Sequence, residues 1–185
     1  FIPPTLSADL SALSEAEAAI PDVQSGVGHA AELESGEEME LAAELLGVQN
    51  EEELDRFLGG LLSRTLNGAS AFARSPAGQQ ALGLLKSTAG RTLPQLAQSL
   101  GERIGGVRGA QSGLRLAADA GRLFGLELEG LSHEDSEFEV ARRFARLAHR
   151  SLQPLNPRRA TPLEARRSFR HAARIHAPGL VARSV

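Results

Sequence analysis

Several histidine and acidic residues have the types that metal binding or acid–base catalysis requires. His133, Glu134 and Asp135 are consecutive, but they fall at a predicted helix start, where the helix dipole favours acidic residues. His171 and His176 are five residues apart, whereas two zinc ligands on one helix are four apart. The stretch GGVRG lacks the preceding strand and the following Gly-Lys of a phosphate-binding loop, and no serine stands in a nucleophile elbow. We therefore expect no enzyme, no catalytic residue, no metal site and no cofactor.

Charge is distributed unevenly along the chain. Residues 1–60 hold 14 acidic residues and one basic residue, whereas residues 141–185 hold 11 arginines and one acidic residue. Arginine pairs with carboxylates in a bidentate geometry, so the two ends are expected to attract each other, within one chain or between neighbours. The residues predicted to take part are Glu37, Glu38, Glu51 and Glu52 on the acidic side and Arg142, Arg143, Arg146, Arg150, Arg166, Arg167, Arg170 and Arg174 on the basic side.

The arginine residues admit three interpretations. They form a solvated polar face, they dock on the carboxylates of a neighbour, or they bind nucleic acid. The third is the least favoured, because the chain is net acidic and no aromatic residues are interleaved to stack on bases.

A row of small residues recurs at every fourth position in the middle of the chain. A spacing of four places them near one face of a helix, where a partner backbone approaches closely. A heptad-like seam that begins at Leu93 runs beside the row, and it predicts one helix over 93–124 or two helices that meet near Gly105. The row consists of Ala97, Gly101, Gly105, Gly109, Gly113, Ala117, Gly121 and Gly125.

Three interpretations of this row also stay open: a glycine zipper in a membrane, a close helix interface in water, or a flexible linker. Arg103, Arg108, Arg115 and Arg122 interrupt the segment, and a single arginine at the centre of a bilayer costs about 2.5–3.5 kcal/mol. We therefore favour close packing in water, where the contact offsets the cost of roughly 1 kcal/mol that glycine imposes on a helix.

The remaining segments read as helices with clear start signals. Four short combinations of residues are typical of a helix N-terminus: Asn50 with Glu53, Ser75 with Pro76, Ser132 with Asp135, and Thr161-Pro162 with Glu164. Further helices are predicted over 37–48, 75–88, 132–152 and 161–176, and the helix that Asn50 caps buries Leu54, Phe57, Leu58, Leu61 and Leu62. In the first of them, the predicted apolar face is Met39, Ala42, Ala43 and Leu46.

Composition narrows the class of protein. Seven phenylalanines and no tryptophan or tyrosine suit a thin helical core better than a β-sandwich. No cysteine is present, which excludes disulfides and thiolate chemistry and is compatible with a cytosolic or an exported protein. Of these two possibilities, we slightly favour an exported protein. The sequence contains no continuous apolar stretch of about 18 residues, so it predicts no transmembrane helix.

Three stretches carry a resemblance to a known group of proteins: EMELAAELLGV with EEELDRFLGGLL, then FGLELEGLSHEDSEFEVARRFARLA, then AARIHAPGL. Together they resemble a family of small bacterial helical proteins that join an acidic leader to a glycine-zipper segment. The resemblance covers about residues 37–180 and implies no reaction. The glycine segment of such relatives is more apolar than the one here.

The sequence thus predicts an all-α fold in which several short amphipathic helices surround a long glycine-rich helix. Residues 1–36 are expected to form an extended acidic arm, 37–180 a single helical domain with its glycine segment at 93–125, and 181–185 a tail. Few bulky residues, the glycine row and the charge polarity favour a structural protein that assembles with itself as an oligomer or filament. The alternatives are an exported, membrane-active or pore-forming protein, and an adaptor or cargo of a larger bacterial particle.

Overall fold

The computed structural model describes residues 33–93 and 119–182, and within these ranges the chain is entirely helical or irregular, with no strand. The all-α prediction is confirmed. The helices are α1 (Ser35–Leu46), α2 (Glu51–Thr65), α3 (Ala69–Arg74), α4 (Pro76–Thr92), α5 (His133–Leu152), α6 (Pro162–His176) and α7 (Pro178–Ala182). Residues 119–124 are also helical, and a connector over 125–132 links them to α5.

Four of the helices begin at the residues that the sequence predicts. The side chains of Asn50, Ser75 and Ser132 each accept a hydrogen bond from the backbone N–H three residues on, at 2.9, 3.1 and 3.1 Å. Thr161 and Glu164 form a complete capping box, in which the Glu164 carboxylate accepts from the Thr161 backbone N–H at 2.7 Å. These bonds satisfy donors that the first helical turn leaves unpaired, so the N-termini are fixed locally.

Helix α5 occupies the centre of the packing. Both α1 and α6 lie against it, and α4 packs on α6. Phe144 is fully buried on α5, and alanines at 141, 145 and 148 leave the space that lets neighbouring helices approach. The predicted face of α2 is confirmed, since Leu54, Phe57, Leu58, Leu61 and Leu62 are all buried in the same core.

The predicted apolar face of α1 is right for Ala42, which is buried, and for Leu46, which packs partly buried against the core, but it is wrong for the other two residues. Met39 is 51% exposed and Ala43 is also exposed, whereas Leu41, Ala42 and Leu45 are buried. The fourth buried residue of this helix is Glu38, at 2% exposure. The helix is therefore rotated so that a carboxylate faces the core, and the site described below supplies the compensating charges.

One predicted helix end is wrong. The helix predicted over 75–88 continues through Ala89 and Gly90 to Thr92, because Ala89 and Thr92 are buried and tertiary contacts outweigh the weak local breaker. The end of α6 at His176 is confirmed, and Pro178 then opens the short helix α7, which was not predicted, since proline suits the first turn of a helix. An added Cβ at Gly179 would meet the carbonyl oxygen of Arg122 and would lie 2.8 Å from Cα of Leu123, so α7 packs directly on the backbone of residues 119–124.

The short helix α3 was not predicted. It packs against the start of α4 so closely that an added Cβ at Gly78 would overlap the carbonyl group of Phe72. Phe72 is itself fully buried, and Ser75 donates from its hydroxyl to the Phe72 carbonyl at 2.7 Å. The tight corner between α3 and α4 therefore depends on a glycine at this position.

Candidate interaction surfaces

A buried carboxylate joins α1 to α5. One oxygen of Glu38 accepts from Nε of Arg142 at 2.8 Å, and the other accepts from Nε of Arg146 at 2.6 Å. The side chains of Arg142 and Arg146 are 26% and 36% exposed, so the cluster lies at the edge of the core with its cations partly in water. These three predicted docking residues thus pair within one chain.

Arg142 has a second carboxylate partner. Its Nη1 donates to Glu139 on the same helix at 2.6 Å. Burial lowers the pKa of Arg142, but the hydrogen bond to Glu139 and the charge of Glu38 outweigh that effect, and the net pKa is raised. The guanidinium is therefore a permanent cation that is held in place by two carboxylates.

A small cleft of about 220 Å³ opens beside this cluster, where the start of α1 meets α5 and the end of α6. His149 lies in it, and burial lowers the pKa of this histidine; the charge of Glu37 opposes that shift and Arg150 adds to it. His149 is therefore held more firmly in its neutral form than a histidine in water. The cleft is lined mainly by Ser35, Glu38, Arg146, His149, Arg150 and His176.

The other predicted acidic residues lie at the surface of α1 and α2. Glu37 is exposed. Glu51 lies 3.9 Å from Nζ of Lys86, which also contacts Asp55, and Glu52 lies 3.9 Å from Arg56 one turn away. Such exposed pairs contribute little to stability, so these carboxylates stay accessible.

The basic residues of α6 form an outward surface, which we call the arginine face: Arg166, Arg167, Arg170 and Arg174. Arg166 donates to the amide oxygen of Gln80 at 3.0 Å. In the ranges 33–93 and 119–182, none of these arginines has a carboxylate within ion-pair distance. Arg143 and Arg150, predicted with them, lie half-buried on α5 instead. Leu163, at the start of α6, is 53% exposed beside this face.

A larger and more open cleft, of about 420 Å³, adjoins the arginine face, and we call it the α6 cleft. Its apolar part comes from Leu155 and Ala160 in the connector between α5 and α6, and its polar rim includes Arg159, Arg167 and His171. Nothing in the sequence marked it, because it depends on how the connector folds back along α6. The Asn156 side chain stabilises that connector by accepting from the Arg158 backbone N–H at 3.0 Å.

Most of the glycine row lies outside the described residues: Ala97, Gly101, Gly105, Gly109, Gly113 and Ala117. Gly121 is buried inside the chain, and an added Cβ there would lie 2.8 Å from Cδ1 of Leu128 in the connector. Gly125 has a φ of +65°, and the N–H of Leu126 donates to the Gly121 carbonyl at 2.8 Å. This is the geometry in which glycine ends a helix, so Gly125 terminates the helical segment.

The histidines that were considered as metal ligands lie apart from one another. His133 is on the first turn of α5, 3.6 Å from Glu137, and His171 and His176 are on α6. Within the described ranges, no three histidine, aspartate or glutamate side chains converge on a possible metal position. No helix in those ranges is both long and apolar enough to cross a bilayer.

The architecture thus places the chain in the all-α class, with two charged helical surfaces as its most distinctive features. Comparison with protein-family models, with curated proteins and with solved structures finds no match. The resemblance to the glycine-zipper family stays a prediction.

Proposed function

We propose that this protein is a structural, self-assembling protein, in which the acidic outward side of α1 of one copy docks on the arginine face of the next. The observation that carries the proposal is that, among residues 33–93 and 119–182, no carboxylate lies within ion-pair distance of Arg167, Arg170 or Arg174, together with exposed carboxylates on another helix. Arg167 is close enough to Glu164 on its own helix to lower the pKa of that carboxyl, so Arg170 and Arg174 are the least compensated of the three. The acidic side consists of Glu37, Glu40 and Glu44.

The proposal rests on charge and no longer on a shortage of core residues. The described helices share one continuous buried cluster that contains Phe57, Phe72, Phe124 and Phe144. Within that cluster the Glu38–Arg142–Arg146 contacts satisfy part of the charge polarity inside one chain. On the acidic side of α1, Glu40 and Glu44 lie 3.9 and 3.6 Å from Arg64 of α2, but these side chains stay largely exposed, and one cation faces two carboxylates. The acidic side therefore keeps a net negative charge for contacts between copies.

The two surfaces are different, so their contact would be head-to-tail. A head-to-tail contact gives a ring if its rotation closes and a filament if it does not. Both forms depend on ion pairs at the surface, which salt screens strongly: the Debye length falls from about 10 Å at 0.1 M to about 3 Å at 1 M. Assembly is therefore expected at low salt and dissociation at high salt.

The test is sedimentation velocity of the full chain at low and high salt, combined with charge reversal. A triple variant with Arg167, Arg170 and Arg174 changed to Glu should stay monomeric at concentrations at which the unchanged chain assembles. The matched control changes Arg56, Arg74 and Arg91 to Glu; these exposed arginines lie on α2, α3 and α4, and the net charge changes equally.

A second arm identifies the partner surface. Changing Glu37 and Glu40 to Arg should also prevent assembly, and mixing this variant with the arginine-face triple variant should restore it, because the reversed charges then complement each other. A chain that is monomeric at every salt concentration, or a triple variant that assembles like its control, would refute the proposal. Circular dichroism of each variant verifies that the helices are retained.

A further inference from the structure

The outward side of α1 carries an apolar residue as well as carboxylates. Met39 is 51% exposed, and it is the single methionine of the chain. Gly36 and Ala43, one turn before and after it, are exposed too, and an added Cβ at Gly36 would have nothing within 4 Å. About half of the methionine side chain therefore faces solvent, next to Glu40 in the sequence. A flexible thioether of this kind fits irregular apolar recesses well.

The α6 cleft has the complementary character. Leu155 and Ala160 provide an apolar recess, and Arg159 and Arg167 line it with cations that have no ion-pair partner among the described residues. Glu164 also lines the cleft, but its carboxylate is engaged by the backbone N–H and the hydroxyl of Thr161 at 2.7 and 3.0 Å. The Glu164 carboxylate keeps its negative charge and offsets part of the charge of Arg167, but the two arginines outnumber it, so the lining is net positive.

We infer that the α6 cleft is the receiving site for Met39 of a second copy of this chain, with Glu40 of that copy against Arg159 and Arg167. This inference rests on the proposed function and makes it specific, because it names one side chain, Met39, and one recess, the α6 cleft, that meet in the contact. The size supports the match: a recess of about 420 Å³ accommodates one long side chain and the adjoining helix surface. Charge complementarity fixes the direction of docking and the methionine fixes its register.

The experiment measures self-association of the full chain by sedimentation equilibrium with Met39 changed to Ser. Burial of a methionine side chain corresponds to about a tenfold or larger change in affinity, so association should weaken by that factor. Leu131→Ser is the matched control, since Leu131 is 45% exposed in the connector before α5 and should leave association unchanged.

A photo-crosslinking arm locates the recess directly. Benzoylphenylalanine replaces Met39 in an isotopically heavy copy, which is mixed with light unmodified chain, and mass spectrometry maps the heavy–light crosslinks. Crosslinks to residues 154–171 support the inference, and crosslinks confined elsewhere overturn it. If the unchanged chain never associates, the proposed function fails with this inference. If it associates and Met39→Ser has no effect, the cleft assignment alone fails.

Discussion

The carboxylate of Glu38 lies 2.6 Å from Nε of Arg146, a residue 108 positions further along the chain. With Arg142 on its other oxygen, Glu38 has a charge-assisted hydrogen bond to each carboxylate oxygen although it is nearly inaccessible to water. A buried charge is tolerated only when it is paired in this way. The contact therefore specifies how α1 sits on α5. Removing one of the three side chains leaves the remaining charges buried without full compensation, which costs stability.

Replacing Glu38 with Gln should destabilise the fold by about 2–4 kcal/mol, because the amide leaves the partly buried Arg146 without its carboxylate partner and leaves Arg142 with Glu139 alone. The measurement is urea unfolding followed by circular dichroism. The matched control is Glu40→Gln on the same helix, where the carboxylate is 70% exposed and lies 3.9 Å from Arg64. That control should leave the midpoint unchanged. Equal midpoints for Glu38→Gln and the unchanged chain would show that the buried ion pairs contribute nothing net.

Stability should fall as the pH drops from about 7.5 to 5.5, because of His149. Burial holds the pKa of His149 below its ordinary value of 6.5 in the folded state. The unfolded chain then binds a proton more readily, so the stabilisation is complete above the unfolded pKa and is lost as the pH falls towards the folded pKa. One proton limits the slope to about 1.4 kcal/mol per pH unit.

Urea unfolding at several pH values checks this expectation, with His149→Gln as the comparison. The variant should show a shallower dependence on pH over the same range, whatever its absolute stability. Glu37→Gln should make the dependence of stability on pH steeper. Glu37 raises the pKa of His149 in the folded state, so its loss enlarges the difference between the folded and the unfolded pKa. Parallel profiles for the unchanged chain and His149→Gln would show that His149 does not cause the pH dependence.

Two glycines of α4 should respond in opposite directions to alanine. At Gly78 a Cβ would overlap the Phe72 carbonyl, so Gly78→Ala should destabilise the fold by about 2 kcal/mol or more. At Gly83 a Cβ would have nothing within 4 Å, and alanine should stabilise the helix by up to about 1 kcal/mol. Thermal melts of both variants give the comparison. A stable Gly78→Ala variant would mean that the corner between α3 and α4 opens without cost.

The sequence predicts helix starts well because capping is local. Asn50, Ser75, Ser132 and Thr161 each bond a backbone group three residues away, so a short stretch contains all the information needed. The face of α2 follows for a similar reason, since its apolar residues repeat at helical spacing and the charged residues between them, Asp55 and Arg56, lie on the exposed side.

The face of α1 and the contacts of the site depend on distant residues instead. Periodicity could not place Glu38 in the core, because its arginine partners lie 104 and 108 residues away and only the fold brings them together. The sequence did predict that acidic residues near 37–52 and arginines near 142–174 would attract each other. The structure was needed to show which residues pair, and that Glu38, Arg142 and Arg146 pair within one chain. The α6 cleft was missed because no motif encodes the path of the connector beside α6.

The packing of α1 on α5 has a consequence for the order of events during synthesis. The chain emerges from the ribosome from its N-terminus, so α1 is complete about a hundred residues before Arg142 and Arg146 exist. Among the helices described before residue 94, α1 has a small contact with α2, and Leu41, Leu45 and Glu38 still lack α5 as the main surface against which this helix packs. The burial of α1 against α5 is therefore possible only after α5 has been synthesised.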